Sequence, residues 1–418
     1  MARGLFAHED QLRKIDSNGD PLVKINQFVH WELFRPELEA AMEKARAAER
    51  VAHGKPAERT STAGRPAIDV ILLFKMSMIQ SLYNLSEAAT EQLVLDRLSF
   101  QRFVGLQLGD AVPDANTLWL FNQALVPGDL GKVLFRRFGD FLRNNGYEAQ
   151  QGQIVDATIV RSRVRRDKAE VNEQIKNGDG KNVTAWSETT RRQKDIDARW
   201  TKKRNKSYFG YKDHESIDVQ HKLIRDYAVT DASVHDSNVY EELITPNDSP
   251  NEYADSAYGS EKRLAARIAD EKVPYFQEKG TRGHPLTEEQ KQANREKSKT
   301  RSRIEHGFGV KVQRARDMVI RVVGIGRAKV KVGLRNLAYN IDRYAMLMRR
   351  KLAVERFGPS ILTPRGQVRR KPPRAKPTGV NLAFDPTRSG LARPDLAPPC
   401  PVAPMCDIPG GRGALLAG

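Results

Sequence analysis

Three acidic residues have the type and setting for metal-dependent chemistry. Asp156 lies in the middle of GQIVDATIV, residues 152–160, whose apolar and β-branched members predict a buried strand. A carboxylate is seldom fully buried unless it is paired or bound to a metal. Asp255 lies in EYADSAYGS, 252–260, where a short strand meets a turn into a helix. Ligand sites of open α/β sheets gather at such carboxyl ends of strands. Glu305 lies in RSRIEHGFGVK, 301–311, inside a long helix. There Ile304, Phe308 and Val312 recur every four residues and predict a core stripe, with Glu305 one step round the cylinder at the edge of a cleft.

Three converging carboxylates on an α/β frame suit Mg²⁺ chemistry on phosphate. Magnesium takes hard oxygen ligands and is held by one or two carboxylates plus substrate phosphates. Two such ions, about 4 Å apart, activate an attacking oxygen and stabilise a leaving one. The bland alternative stands beside this. A lone Asp at a strand end is more often a helix cap or a turn residue.

The net charge of +18 implies a polyanionic partner, and nucleic acid fits better than a membrane surface. The longest apolar run is VILLF, 70–74, too short for a transmembrane helix, and the N-terminus lacks the apolar core of a signal peptide. Only Cys400 and Cys406 are present, both in the tail, which leaves no disulfide framework and predicts a cytosolic setting. Residues 291–350 carry 17 Lys and Arg against four Asp and Glu, an imbalance of sign that points to DNA rather than to a merely solvated face. In WTKKRNKSYFGYK, 200–212, aromatics alternate with bases; Trp200, Tyr208 and Tyr211 would stack on unpaired bases or else cover the sheet edge. His214 and His235 read as hydrogen-bonding structural histidines, no Cys/His set has zinc spacing, and GIG at 324–326 reads as a turn.

The elements that must position these residues fall into regimes. Residues 1–60 form a polar N-terminal helical arm, with a helical pair in 25–49 broken near Pro36. Residues 61–130 predict a helical domain with helices at 67–83, 86–105 and 114–126, Ser86 and Asp114 serving as N-caps. That domain reads either as a helix-turn-helix-like DNA-binding unit or as a dimerisation unit. Residues 150–350 alternate strands (153–160, 207–219, 222–231, 251–256, 273–278) with helices (235–244, 259–271, 287–316), interrupted by a basic insertion at 161–206. Residues 356–418 hold twelve of the 22 prolines and predict a disordered basic tail.

The blocks VDATIV, DIDARWTKKRNKSYFGYKDHESID, VTDASVHDSN, YADSAYGS and RSRIEHGFG, in that order, resemble the DDE transposases of bacterial insertion sequences, of the IS-five type. GRPAIDVILLFKMSMIQSLYNLSEAATEQLVLDRLSFQRFVGL, 64–106, with VPDANTLWLFNQAL after it, resembles the helical domain that accompanies them. The resemblance spans roughly residues 60–345. It implies an RNase H-like core, a mixed sheet flanked by helices, preceded by an all-helical domain. It implies Asp156, Asp255 and Glu305 as catalytic residues and ligands of two Mg²⁺, or of Mn²⁺ in their place. The activity implied is DNA cleavage at element ends followed by strand transfer into target DNA.

The partners implied are the terminal inverted repeats and target DNA, bound by a homodimer or larger homo-oligomer with no membrane involved. The location implied is the cytoplasm, at the nucleoid. Contacts to DNA are expected from Arg301, Arg303, Lys311, Lys212, Tyr211, Lys202, Lys203 and Arg204. Two departures stand out: Ser298 occupies the place of the family's tyrosine, and Lys311 arrives one position early. Two other readings stay open: a transposase-derived DNA-binding regulator without catalysis, and an RNase H-like nuclease that cuts without joining.

Overall fold

The central strand of the sheet is the one that carries Asp156. The computed structural model describes residues 7–358, apart from 59–65, 164–166, 179–182, 184–185, 204, 245–248, 282 and 316–318. Six strands are β1 (Gln153–Arg161), β2 (Arg199–Lys203), β3 (Lys206–Asp218), β4 (Ile224–Asp231), β5 (Asn251–Ala254) and β6 (Val273–Phe276). Their order is β2-β3-β1-β5-β6, with β4 also on β3. β2 pairs with the first residues of β3 and β4 with the rest, while β1 runs antiparallel to β3 and parallel to β5. β5 and β6 are parallel. At Gly210, φ is +150° and an added Cβ would stand 2.3 Å from the Val160 carbonyl oxygen, so β3 needs glycine where it meets β1.

Among the described residues eight α-helices precede the sheet: α1 (Ala7–Ser17), α2 (Pro21–Phe28), α3 (Arg35–Ala52), α4 (Val70–Tyr83), α5 (Glu87–Asp96), α6 (Leu98–Val104), α7 (Ala115–Ala124) and α8 (Leu130–Asn144). Helix α4 is buried on nearly every side, as its apolar run requires. It starts at Asp69, whose carboxylate accepts from the N–H groups of Ile71 and Leu72, and stops at Asn84 in the left-handed region. Ser86 and Asp114 cap α5 and α7, as their types predict. The expected helix at 86–105 is instead two, because Arg97 is extended between α5 and α6. The arm is not separate: Leu22, Ile25, Phe34 and Leu38 sit in the same core as Phe74 of α4.

Helices α9 (Ala169–Lys176) and α10 (Glu188–Gln193) lie in the insertion, where Val171, Val183 and Trp186 make a small core of their own. Helices α11 (Tyr240–Leu243) and α12 (Glu261–Ala269) follow β4 and β5. The last two are α13 (Glu288–Ala315) and α14 (Ile325–Phe357), and α14 packs along α8, α4 and α2. Gly324, with φ at +91°, bends the chain into α14, while Ile325 and Gly326, expected to continue a turn, already lie in the helix. One apolar cluster joins the N-terminal helices, α14 and the sheet through Ile154, Val160 and Ile217.

The predicted stripe of α13 is corrected. Val312 is 43% exposed, and the buried positions are Ile304, Gly307 and Lys311, with Phe308 half-buried. A straight helix returns to one face after seven residues, so Ile304 and Lys311 share it and Val312 is carried outward. Residues 359–418, nearly all of the expected tail, lie outside the described residues. No helix among the described residues is long and apolar enough to cross a membrane.

Candidate active site

Strand register builds the site. Val155 pairs with Ala254, and Ala254 pairs with Phe276, both in parallel register. The residues that follow are Asp156, Asp255 and Gln277. Side chains alternate along a strand, and neighbours in register share a face. Val155, Ala254 and Phe276 point into the cluster with Tyr240 and Leu243, so the next three point to the opposite face, under α13. Arg301 of α13 lies across them. Its Nη2 is 3.5 Å from Asp156 Oδ2 and 3.7 Å from Asp255 Oδ2, and its Nη1 donates to Gln277 Oε1. Gln277 in turn donates to Ser298 Oγ at 2.6 Å.

Each aspartate has one oxygen tied to the local backbone and the other turned to Arg301. Asp156 Oδ1 accepts the Ala157 N–H at 2.8 Å. Asp255 Oδ1 accepts from the N–H and hydroxyl of Ser256, capping a short turn. Burial pushes the Asp156 carboxyl above its ordinary value, opposed by the charges of Arg301 and Lys203. Burial in an apolar strand thus disfavours the charged form of Asp156, and the neighbouring cations Arg301 and Lys203 offset part of that cost.

Glu305 follows Arg301 by one turn of α13 and is exposed. Asp156 and Asp255 are gathered; Glu305 flanks them without joining them. Among the described residues no three His, Cys, Asp or Glu side chains stand close enough to hold one metal ion.

The expected DNA contacts divide. Lys202 and Lys203 are exposed at the end of β2, and Lys203 acts on Asp156 electrostatically. Trp200 is 46% exposed and lines an open groove with Arg161, Lys206 and Tyr208. Arg303 is exposed and donates to the Val219 carbonyl at 3.0 Å. Arg204 lies outside the described residues. Three expectations are corrected. Tyr211 is fully buried and donates to Asp195 Oδ1 at 2.7 Å, so it is no stacking platform. Lys212 Nζ donates to the Val234 carbonyl at 2.6 Å and pairs with Asp236 at 2.8 Å. Lys311 is 5% exposed and pairs with Glu215. In β3 the alternation decides: Tyr211, Asp213, Glu215 and Ile217 all turn to the face covered by α13 and α14.

Both histidines are structural, as expected. His214 is buried, shares a hydrogen bond with Thr230 Oγ1 at 2.9 Å, and is held below its ordinary pKa by burial. His235 Nδ1 caps the turn at Ser237. Sequence reasoning missed Gln277 and Tyr258. Gln277 follows VPYF, and its signal was the repetition of strand-then-polar seen at Asp255. Tyr258 has a buried hydroxyl with no partner among the described residues; burial raises its pKa, and the charges of Asp236, then Asp156 and Asp255, raise it further.

The site is thus a mixed sheet flanked by helices that carries two acids side by side at the ends of adjoining strands. Residues 148–341 match the family of the transposase DDE domain, and residues 9–124 match the transposase domain (DUF772). The chain belongs to the DDE transposases of insertion-sequence type, with their helical N-terminal domain. No solved structure matches it. Members of this family act on DNA and use divalent metal ions. The donor set fits such an ion, because Asp156 and Asp255 already direct one hard oxygen each toward the single Arg301 nitrogen.

Proposed function

We propose that this protein cuts DNA at the ends of its element and joins the freed 3′ ends to target DNA. Asp156 and Asp255, with Glu305 brought in from the flank of α13, would be the catalytic acids and would hold two Mg²⁺ or Mn²⁺. The observation that carries the reading is the common register of Asp156 and Asp255, held under Arg301. When bound, the ions supply activation of the attacking oxygen and charge stabilisation at the leaving one. The chain's own residues do the rest. Arg301, anchored on Gln277, orients a phosphate beside the acids. The exposed Lys202, Lys203 and Trp200 on β2 hold the strand leading from it. The sheet supplies rigidity, since catalysis of this kind is mostly positioning and electrostatics.

The 61–130 helices bind the terminal repeat, the 150–350 region cuts, and the protein works as a homo-oligomer on DNA at the nucleoid. The test is Mg²⁺-dependent nicking of a labelled element end by wild type, Asp156→Asn, Asp255→Asn and Glu305→Gln, with end binding measured in parallel. Each substitution is expected to lower nicking by orders of magnitude and leave binding intact, with double variants little worse than single ones. Wild-type nicking by Asp156→Asn or Asp255→Asn would sink the proposal. Nicking without joining would leave a nuclease.

A further inference from the structure

The sheet aims Asp156 and Asp255, but Glu305 rides on a helix, and a helix can rotate or slide. What restrains α13 lies six residues beyond Glu305. Lys311 contacts the Glu215 carboxylate, stands 3.1 Å from Asn336 Oδ1 and 3.8 Å from Asp213 Oδ2. Its ammonium lies 5.2 Å from the Phe308 ring centre and 5.7 Å from that of Tyr339. Asn336 of α14 returns its amide to both oxygens of Asp213, at 3.0 and 3.2 Å. Asp213, Glu215 and Asn336 are wholly buried. Glu215 pairs in register with Asp156, so the two acids share a face, one under Lys311 and one under Arg301.

We infer that Lys311, with Glu215, Asp213 and Asn336, is a set of positioning residues that fixes the rotation and height of α13 over the sheet, and so where Glu305 and Arg301 stand. The inference rests on the role proposed above for Glu305. Apolar contacts such as Ile304 and Phe308 are non-directional and tolerate sliding. An ammonium seated between two buried carboxylates does not, because a shift of one residue, about 100° and 1.5 Å, would leave charges buried and unpaired. Lys311 lies on the same stripe as Ile304, whereas Arg301 and Glu305 lie on the flank toward the acids. Locking the stripe therefore sets the direction of Glu305. Gly307 brings the helix close enough for the lock: an added Cβ there would stand 3.2 Å from Ile217 Cδ1 and 3.3 Å from the Tyr339 hydroxyl.

The test compares full-length wild type, Lys311→Met and Glu305→Gln on a labelled element end, with cleavage in Mg²⁺ and titration of the protein with Mn²⁺ alone by water-proton relaxation. In Lys311→Met, end binding and its salt slope are expected to stay at the wild-type values. Mn²⁺ affinity should weaken about tenfold and kcat for cleavage fall about a hundredfold with KM for DNA unchanged, as for a misplaced catalytic group. A salt slope shallower by about one unit would make Lys311 a phosphate contact and overturn the inference. A folded Lys311→Met protein with wild-type cleavage and Mn²⁺ affinity would overturn it too. If that variant does not fold, Lys311→Met/Glu215→Met, which removes both charges together, gives the same readouts. Normal cleavage by Glu305→Gln beside impaired Lys311→Met would refute the Glu305 assignment alone and leave the lock acting through Arg301.

Discussion

At the scale of the residue, the same chemical types serve opposite ends depending on which way a strand turns them. Tyr211 and Lys212 sit among bases and aromatics that read as a DNA surface, yet both are committed inside the protein. Tyr211→Phe is therefore expected to lower stability by about 1 kcal/mol, because the half-buried Asp195 loses a donor from a buried hydroxyl, while leaving DNA affinity unchanged. Urea unfolding and a binding titration check the two halves separately. His214 gives a pH prediction. Burial lowers its folded pKa, so the unfolded chain binds the extra proton more readily. Stability is then full above the unfolded value, about 6.5, and is lost as pH falls below it. His221 is lowered in the same way and adds to the slope. Melting at pH 7.5 and 5.5 should show a drop, smaller in His214→Gln; an equal drop in both would remove His214 from the explanation.

At the scale of the element, most strands and helices were legible because their apolar periods are clean. β1 is a β-branched run, and α4 is apolar throughout. Asp156 and Asp255 were legible as candidates because an acid in such a run needs a reason. Their mutual register was not, since it depends on pairings between residues a hundred apart. β2 was missed because its residues, RWTKK, have no apolar alternation; it is an edge strand recruited by β3. The stripe of α13 was misphased because a buried lysine cannot be told from a surface one without its partners, which lie on β3 and α14. The close meeting of β3 and β1 gives a further prediction. Gly210→Ala would force backbone against backbone and is expected to cost more than about 2 kcal/mol in chemical denaturation. A loss under 0.5 kcal/mol would show that the strands separate easily there.

At the scale of the molecule, the basic charge is unevenly available. Of the 17 cations in 291–350, Lys311, Arg335 and Arg343 are buried, so the count overstates what DNA meets. Neutralising six phosphates would still give a slope of about −5 for log K against log salt. A slope near zero would remove DNA contact by this face. Deleting residues 360–418 is expected to leave unfolding cooperative and cleavage intact, since α14 closes the described core by Phe357. Loss of soluble protein on truncation would contradict that. The shared core has one more consequence. Because α14 packs along α2, α4 and α8 and also meets the sheet at β4, the helical layer and the acids move as one piece. Such a protein is a ruler. On the proposed function, in which the helices grip the terminal repeat and the sheet cuts, DNA is measured in fixed steps, so five base pairs inserted between grip and cut, about half a helical turn, should abolish cutting. Ten, a full turn, should return the backbone to the same side and restore part of it.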